Sequence, residues 1–194
     1  MQKVFMHISE AMRTRILLLF LLFTTTANAQ DERTMYSVED YVGTWQYVSN
    51  DTIFTVKFVE GKTINSPFNL TFKELFGGYA LKVGGVIIDD YLNISSVRDM
   101  KIKNPSEQQI YMIALAPDFN TRIFGMMIYD QRKKHFEGQG ISGCHIAMVA
   151  KNKLKWTLNE ERGISIRLEG CEDCPEIKPI GFSIPTNVIL TKVE

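Results

Sequence analysis

The chain has 194 residues, 45% of them hydrophobic, and its 22 Lys and Arg are balanced by 22 Asp and Glu. A formal net charge of zero with no basic stripe argues against a nucleic-acid partner, because phosphate neutralisation dominates that binding. The one basic cluster, Arg132-Lys133-Lys134, lies between two strand-like runs and reads as a solvated turn.

In chain order, Lys3, Arg13 and Arg15 come first, then the apolar run Ile16 to Phe23, and then Ala27-Asn28-Ala29 ahead of Gln30. A basic region, a short apolar core and a small-x-small site in that order predict a secretory signal peptide over residues 1–29. Met12-Arg13-Thr14-Arg15 supplies a basic region on its own. The apolar run is roughly half the length of a membrane-spanning helix, and no cysteine sits just after the cut, as a lipoprotein anchor would need. The expectation is an exported protein, periplasmic or secreted, soluble after cleavage and with no integral membrane segment left. Residues 30–194 then form one domain, a length at which a single core is readily built.

Ser37 and Asp40 have the spacing of a capping box, which predicts a short helical turn over Ser37–Tyr41. Strands follow at Gly43–Ser49 and Thr52–Glu60, where Phe54, Val56 and Phe58 alternate with Thr55 and Lys57. Period-two alternation marks a strand with one face to the core and one to water. Tyr79–Val83 and Val86–Asn93 are joined by Gly84-Gly85, a two-residue hairpin signal. Asn104-Pro105-Ser106 is a turn, followed by strands at Gln109–Leu115 and Arg122–Asp130. Gly138 to Gly143 is glycine-broken and irregular; Gly143–Ala150 is the next strand. After the turn at Lys151-Asn152, Leu154, Trp156 and Leu158 alternate with polar neighbours, as do Ile164, Ile166 and Leu168. A loop over Gly170–Pro185 leads to the last strand, Val188–Val193. The fold class is all-β: a single antiparallel up-and-down β-barrel with one short N-terminal helical turn. A barrel is favoured over a sandwich because Ile110–Leu115 and Ile123–Tyr129 are apolar on both faces.

Two resemblances are carried by particular residues. Gly43-Thr44-Trp45, opening the first strand just after the helical turn, resembles the Gly-x-Trp signature of the lipocalin and fatty-acid-binding barrels. That likeness implies a lipocalin-like barrel in which Gly43 allows close backbone approach and Trp45 closes the base. A basic residue of the last strand packs on the tryptophan in those folds. The last strand here offers Lys192, where the pattern more often has arginine, whose planar guanidinium stacks better on an indole. Over most of the chain, the signal peptide, Val42–Tyr47, Asn152–Leu158 and Ile184–Lys192 resemble a family of small exported Gram-negative proteins classed as a domain of unknown function. That resemblance implies fold and location, and no activity, substrate or catalytic residue.

Chemistry is sparsely marked. Cys171 and Cys174, in an exported chain, are a disulfide candidate that would brace the long loop. A zinc site there would need two further ligands, for which His135 and His145 are the only histidines beyond residue 29. A redox pair would need a βαβ context that the sequence lacks. Cys144 reads as a small apolar residue. No nucleophile elbow, His-Glu-x-x-His helix or phosphate loop is present. The doublets Asp89-Asp90 and Glu160-Glu161 are not glycosidase pairs, since adjacent strand residues face opposite ways. The expectation is a non-enzymatic protein with no metal or cofactor. Phe54, Phe58, Met112, Met126 and Met148, with Met127, would suit the lining of a cavity for a small hydrophobic ligand. The rival is a filled barrel serving protein interaction, homo-oligomerisation included, through its two-sided apolar strands.

Overall fold

The structure, a computed structural model, describes residues 36–66, 74–115, 123–159 and 181–194. The signal segment, the expected strand around Ile164–Leu168, the Glu160-Glu161 doublet and the Cys171/Cys174 pair lie outside the described residues.

Helix α1 (Val38–Tyr41) is capped as its sequence predicts: Ser37 N–H donates to Asp40 Oδ2 at 2.7 Å and Asp40 N–H to Ser37 O at 3.2 Å. The strands are β1 (Gly43–Ser49), β2 (Thr52–Ile64), β3 (Glu74–Val83), β4 (Val86–Asp90), β5 (Val97–Asp99), β6 (Met112–Leu115), β7 (Ile123–Ile128), β8 (Ile141–Ala150), β9 (Lys153–Thr157) and β10 (Asn187–Lys192). Among the described residues, β1, β2, β3, β6, β7, β8, β9 and β10 pair in that order, and β10 returns to β1. The wall is thus a closed, eight-stranded antiparallel barrel of up-and-down topology. Closure removes the sheet edges that open sheets must protect.

Two strands sit outside this ring. β4 pairs with β3 above the point where β6 takes over (Leu81↔Asp89, then Gly77↔Met112). β5 runs parallel to the tail of β2 (Lys62↔Val97). β2 and β3 outrun their alternation patterns because glycines interrupt them. A Cβ on Gly61 would meet the Phe76 ring at 2.7 Å, and one on Gly78 would collide with the Tyr91 carbonyl oxygen. The same crossing at Tyr91 ends β4 at Asp90, three residues before the alternation does.

The barrel interior is a side-chain core. Trp45, Trp156, Tyr41, Tyr79, Phe54 and Phe58 are fully buried in one cluster, each contributing roughly 1.5–3 kcal/mol by area. The Phe54 and Trp156 rings meet edge-to-face at 5.5 Å, and Tyr41 and Phe124 lie 4.4 Å apart. A second cluster of Phe76, Ile110, Ile113 and Tyr129, with Val59 and Met127 against it, accounts for the strands that are apolar on both faces. Ile110, in the connection that enters β6, covers their second face.

Candidate binding site at the barrel mouth

The two ends of the barrel differ. At the α1 end, Trp45 and Lys192 are register partners across the closing β1–β10 pair, and Lys192 Nζ stands 5.2 Å from the Trp45 ring centre. Trp45 Nε1 donates to Tyr41 O at 2.8 Å, and Lys192 Nζ donates to Asp40 O at 3.1 Å. Gly43 has φ +126, and a Cβ there would collide with the carbonyl oxygen of Glu194. Tyr41 reaches inward, and its hydroxyl accepts from Met148 N–H at 3.2 Å. Burial pushes that hydroxyl up to about 12, so it stays protonated. Phe54, Phe58, Met112, Met126 and Met148 are brought together in the interior cluster, none more than 3% exposed. They pack on Trp45, Trp156 and their neighbours in that cluster.

The opposite end, where β1–β2, β3–β4, β7–β8 and β9–β10 are connected, is polar. Asp130, 1% exposed, follows β7 and organises it. Its Oδ1 accepts from Arg132 N–H (3.1 Å), Lys133 N–H (3.0 Å) and Ser183 Oγ (2.6 Å); its Oδ2 accepts from Ser183 N–H (2.6 Å). The first two bonds close the tight turn that short Asp side chains favour. The other two strap Gly181–Pro185 to it. Arg132 Nη2 donates to Ser183 O at 2.6 Å, while its Nε faces Asp89 Oδ2 at 3.1 Å. Trp156 Nε1 donates to Pro185 O at 2.8 Å, and Tyr79 OH accepts from Gln131 N–H at 2.9 Å. Asp89, 4% exposed, has its carboxyl held above the usual 3.8 by burial, against the pull of Arg132 and with a push from Asp130.

Beside this strap is a cavity of about 230 Å³ whose walls include Asn104, Tyr129, Lys134, His135, Glu137 and Gly138. One wall is an unusual turn. Lys134, Phe136 and Glu137 have φ of 48, 52 and 58, and Gly138 has φ +87. Left-handed conformations in non-glycine residues cost of order 1–3 kcal/mol each and persist where the surroundings impose them. Here Lys134 N–H donates to Asp130 O at 2.8 Å and Gly140 N–H to His135 O at 3.3 Å. His135, 5% exposed, sits in that turn with its ring against Phe182. Its Nε2 lies 2.7 Å from Gly181 O. A carbonyl only accepts, so Nε2 carries the proton and, in the neutral ring, Nδ1 is a lone pair. Among the described residues that buried Nδ1 has no hydrogen-bond partner.

Residues 12–193 match the model of a family of unknown function, DUF6705. The chain belongs to that family. No curated protein and no solved structure matches it.

In this DUF6705 chain the polar mouth was only partly marked in sequence. Asp89 and Asp90 do face opposite ways, Asp89 inward and Asp90 outward. Sequence reasoning missed that Asp89 and Asp130 share one buried site with Arg132. The basic cluster read as a solvated turn holds, in Arg132, an ion-paired side chain that is still 44% exposed. No signal in the sequence links these residues, because the strap that joins them comes from Gly181–Pro185. His135 is an element of the cavity wall; among the described residues no three His, Cys, Asp or Glu gather as a metal site. Cys144 is buried in the interior cluster, and burial pushes its thiol up to about 11.

Proposed function

We propose that this DUF6705 protein is an exported, non-enzymatic binding barrel that takes a small polar or amphipathic molecule at its mouth rather than an apolar one inside. One observation carries the reading. The side chains suited to an apolar lining are packed into a core, whereas the mouth has a cavity whose walls carry the polar residues Asn104, Lys134, His135 and Glu137. At about 230 Å³ the space is below the roughly 300–1,000 Å³ of pockets for drug-sized molecules, and suits a small metabolite. Export rests on the signal-peptide pattern of residues 1–29. The non-enzymatic assignment rests on the two buried carboxylates at the mouth: Asp130 is saturated by donors and Asp89 is ion-paired, so neither is placed to act as an acid or base.

A thermal-shift screen of the intact protein against small polar metabolites and a fatty-acid series tests the reading. Binding to the native state alone raises Tm. At least one polar metabolite is expected to raise it and no fatty acid is; the reverse pattern would overturn the proposal.

A second reading, a protein-interaction module, is favoured by β4. Val86, Ile87 and Ile88 are exposed, Ile87 by 65%, on a strand that among the described residues pairs only with β3. A bulge opposite Leu81/Lys82 turns two successive isoleucines outward. Bulges and inward charges such as Asp89 also protect strand edges from pairing. Light scattering that finds a dimer, abolished by Ile87→Lys, would favour this reading; a monomer would remove it.

A further inference from the structure

We infer that the outer face of the barrel wall over β8, β9, β10, β1 and the Thr52–Phe58 half of β2 docks on an anionic phospholipid surface. The face shares no residue with the mouth cavity, and the two sites are independent. Strand alternation builds it. Leu154 and Trp156 of β9 are buried, so Lys153 and Lys155 point outward, and both are exposed. Exposed Lys151, in the β8–β9 turn, precedes them. Register carries the outward rows across the sheet. Lys155 stands between Ala147 and Ile189, and Lys153 between Ala150 and Thr191. Thr191 lies beside Gln46, and Gln46 beside Thr55. On the far side Lys57 is opposite Thr44, turned outward between buried Val56 and Phe58.

Two properties set this face apart from an ordinary solvated sheet. The first is its sign. The chain as a whole balances 22 basic against 22 acidic residues, and solvated surfaces mix the two. Lys57, Lys151, Lys153 and Lys155 meet no carboxylate at the described outward positions of these strands. Asp51 and Glu194 stand only at the rims, in the β1–β2 turn and after β10. Lys153 Nζ donates to the neutral Thr191 Oγ1 at 2.6 Å, and none of the four lysines is in an ion pair among the described residues. The second property is apolar content. Val149 is 54% exposed, and Ile189, Val193 and Val48 are exposed as well. They interleave with the lysines: Ile189 is the register partner of Lys155, and Val149 lies in the irregularity between Met148 and Ala150, next to Lys153. A soluble polyanion would satisfy the ammonium groups and leave these aliphatic side chains in water. A bilayer surface takes both, the aliphatic groups at the headgroup–acyl boundary and the lysines at the phosphates.

The test is co-sedimentation of the intact protein with vesicles of phosphatidylcholine alone and of phosphatidylcholine mixed with phosphatidylglycerol. Saturable binding is expected to the mixed vesicles, with little to phosphatidylcholine alone. It should be lost at about 1 M salt, where the screening length falls to roughly 3 Å. Each lysine near an anionic surface strengthens binding roughly fivefold, so Lys153→Ser with Lys155→Ser should weaken it about 25-fold. Lys101→Ser with Lys103→Ser removes the same charge from the turn after β5, and should leave binding within about twofold. Val149→Thr with Ile189→Thr keeps β-branched residues on the strands, and should weaken binding about fivefold or more. Circular dichroism melts check that each variant folds, and residues 1–29 are common to all, so they produce no difference between variants. Equal binding to both vesicle types, no sedimentation with either, or equal losses in the two lysine pairs would overturn the proposal. Binding that needs Lys153 and Lys155 but is unchanged in the threonine pair also overturns it, and leaves a face for a soluble polyanion or an acidic protein.

Discussion

Trp45 is the residue whose removal the structure makes most costly to ignore. It is fully buried, its indole N–H donates to Tyr41 O at 2.8 Å, and Lys192 lies over its ring. Truncation to alanine loses the packing of a large aromatic, about 3–5 kcal/mol with the cavity left behind. It also removes one buried hydrogen bond, about 1 kcal/mol net, and a cation–π contact of about 0.5–1 kcal/mol. The expected cost of Trp45→Ala is therefore about 4.5–7 kcal/mol, a large share of the roughly 5–15 kcal/mol that stabilises a typical domain. At about 2–4 °C per kcal/mol for a domain of this size, Tm should fall by 10 °C or more. Trp45→Phe keeps most of the ring but not the donor, and should cost about 1–3 kcal/mol. Urea unfolding and thermal melts followed by circular dichroism measure both. A Trp45→Ala melt within a few degrees of wild type, or Trp45→Phe as damaging as alanine, would refute the assignment of Trp45 as the closure of the barrel base.

Three further outcomes follow from the same geometry. The Asp89 carboxyl is held above its usual 3.8, so the native state binds that proton more tightly than the unfolded chain. Its stabilising contribution is present below the ordinary carboxylate range and is lost as pH rises through the raised value. Urea unfolding should accordingly show wild type losing stability relative to Asp89→Asn as pH climbs above about 4, and a gap that is flat or widens in favour of wild type would contradict this. Gly78→Ala drives a Cβ into the Tyr91 carbonyl and should cost several kcal/mol or prevent folding, whereas Gly125→Ala, with nothing within 4 Å, should be neutral or slightly stabilising; equal melts for the two would break the account of the crossing. Asp130→Ala removes the acceptor for both Ser183 donors, so limited proteolysis should cut near Gly181–Pro185 much faster than in wild type, and an unchanged cleavage map would show that Asp130 does not hold the strap.

The barrel was legible because its signal is local. Alternation with period two at Phe54, Val56 and Phe58, or at Leu154 and Trp156, records which face is buried wherever the strand pairs. Gly43, Trp45 and Lys192 were legible through a family likeness, and the geometry sets Trp45 and Lys192 in register with Gly43 close against the Lys192 side chain. Extensions such as Gly61–Ile64 were invisible because a glycine under the Phe76 ring breaks the alternation where the backbone continues. The mouth was illegible for a different reason. Tyr79, Asp89, Asp130, His135 and Ser183 converge from four separate segments, and no periodicity joins them. The left-handed turn is built on Lys134, Phe136 and Glu137, residue types with no preference for that conformation; only Gly138 and Gly140 hint at it. Such conformations are imposed by tertiary context, which a single sequence does not display.

The central claim is that this barrel binds at its mouth and not in its interior. Native mass spectrometry of the intact protein, isolated gently from its own host, tests that most directly. The account predicts a retained small polar mass. A retained fatty acid, or a bare protein mass under every gentle condition, would contradict it.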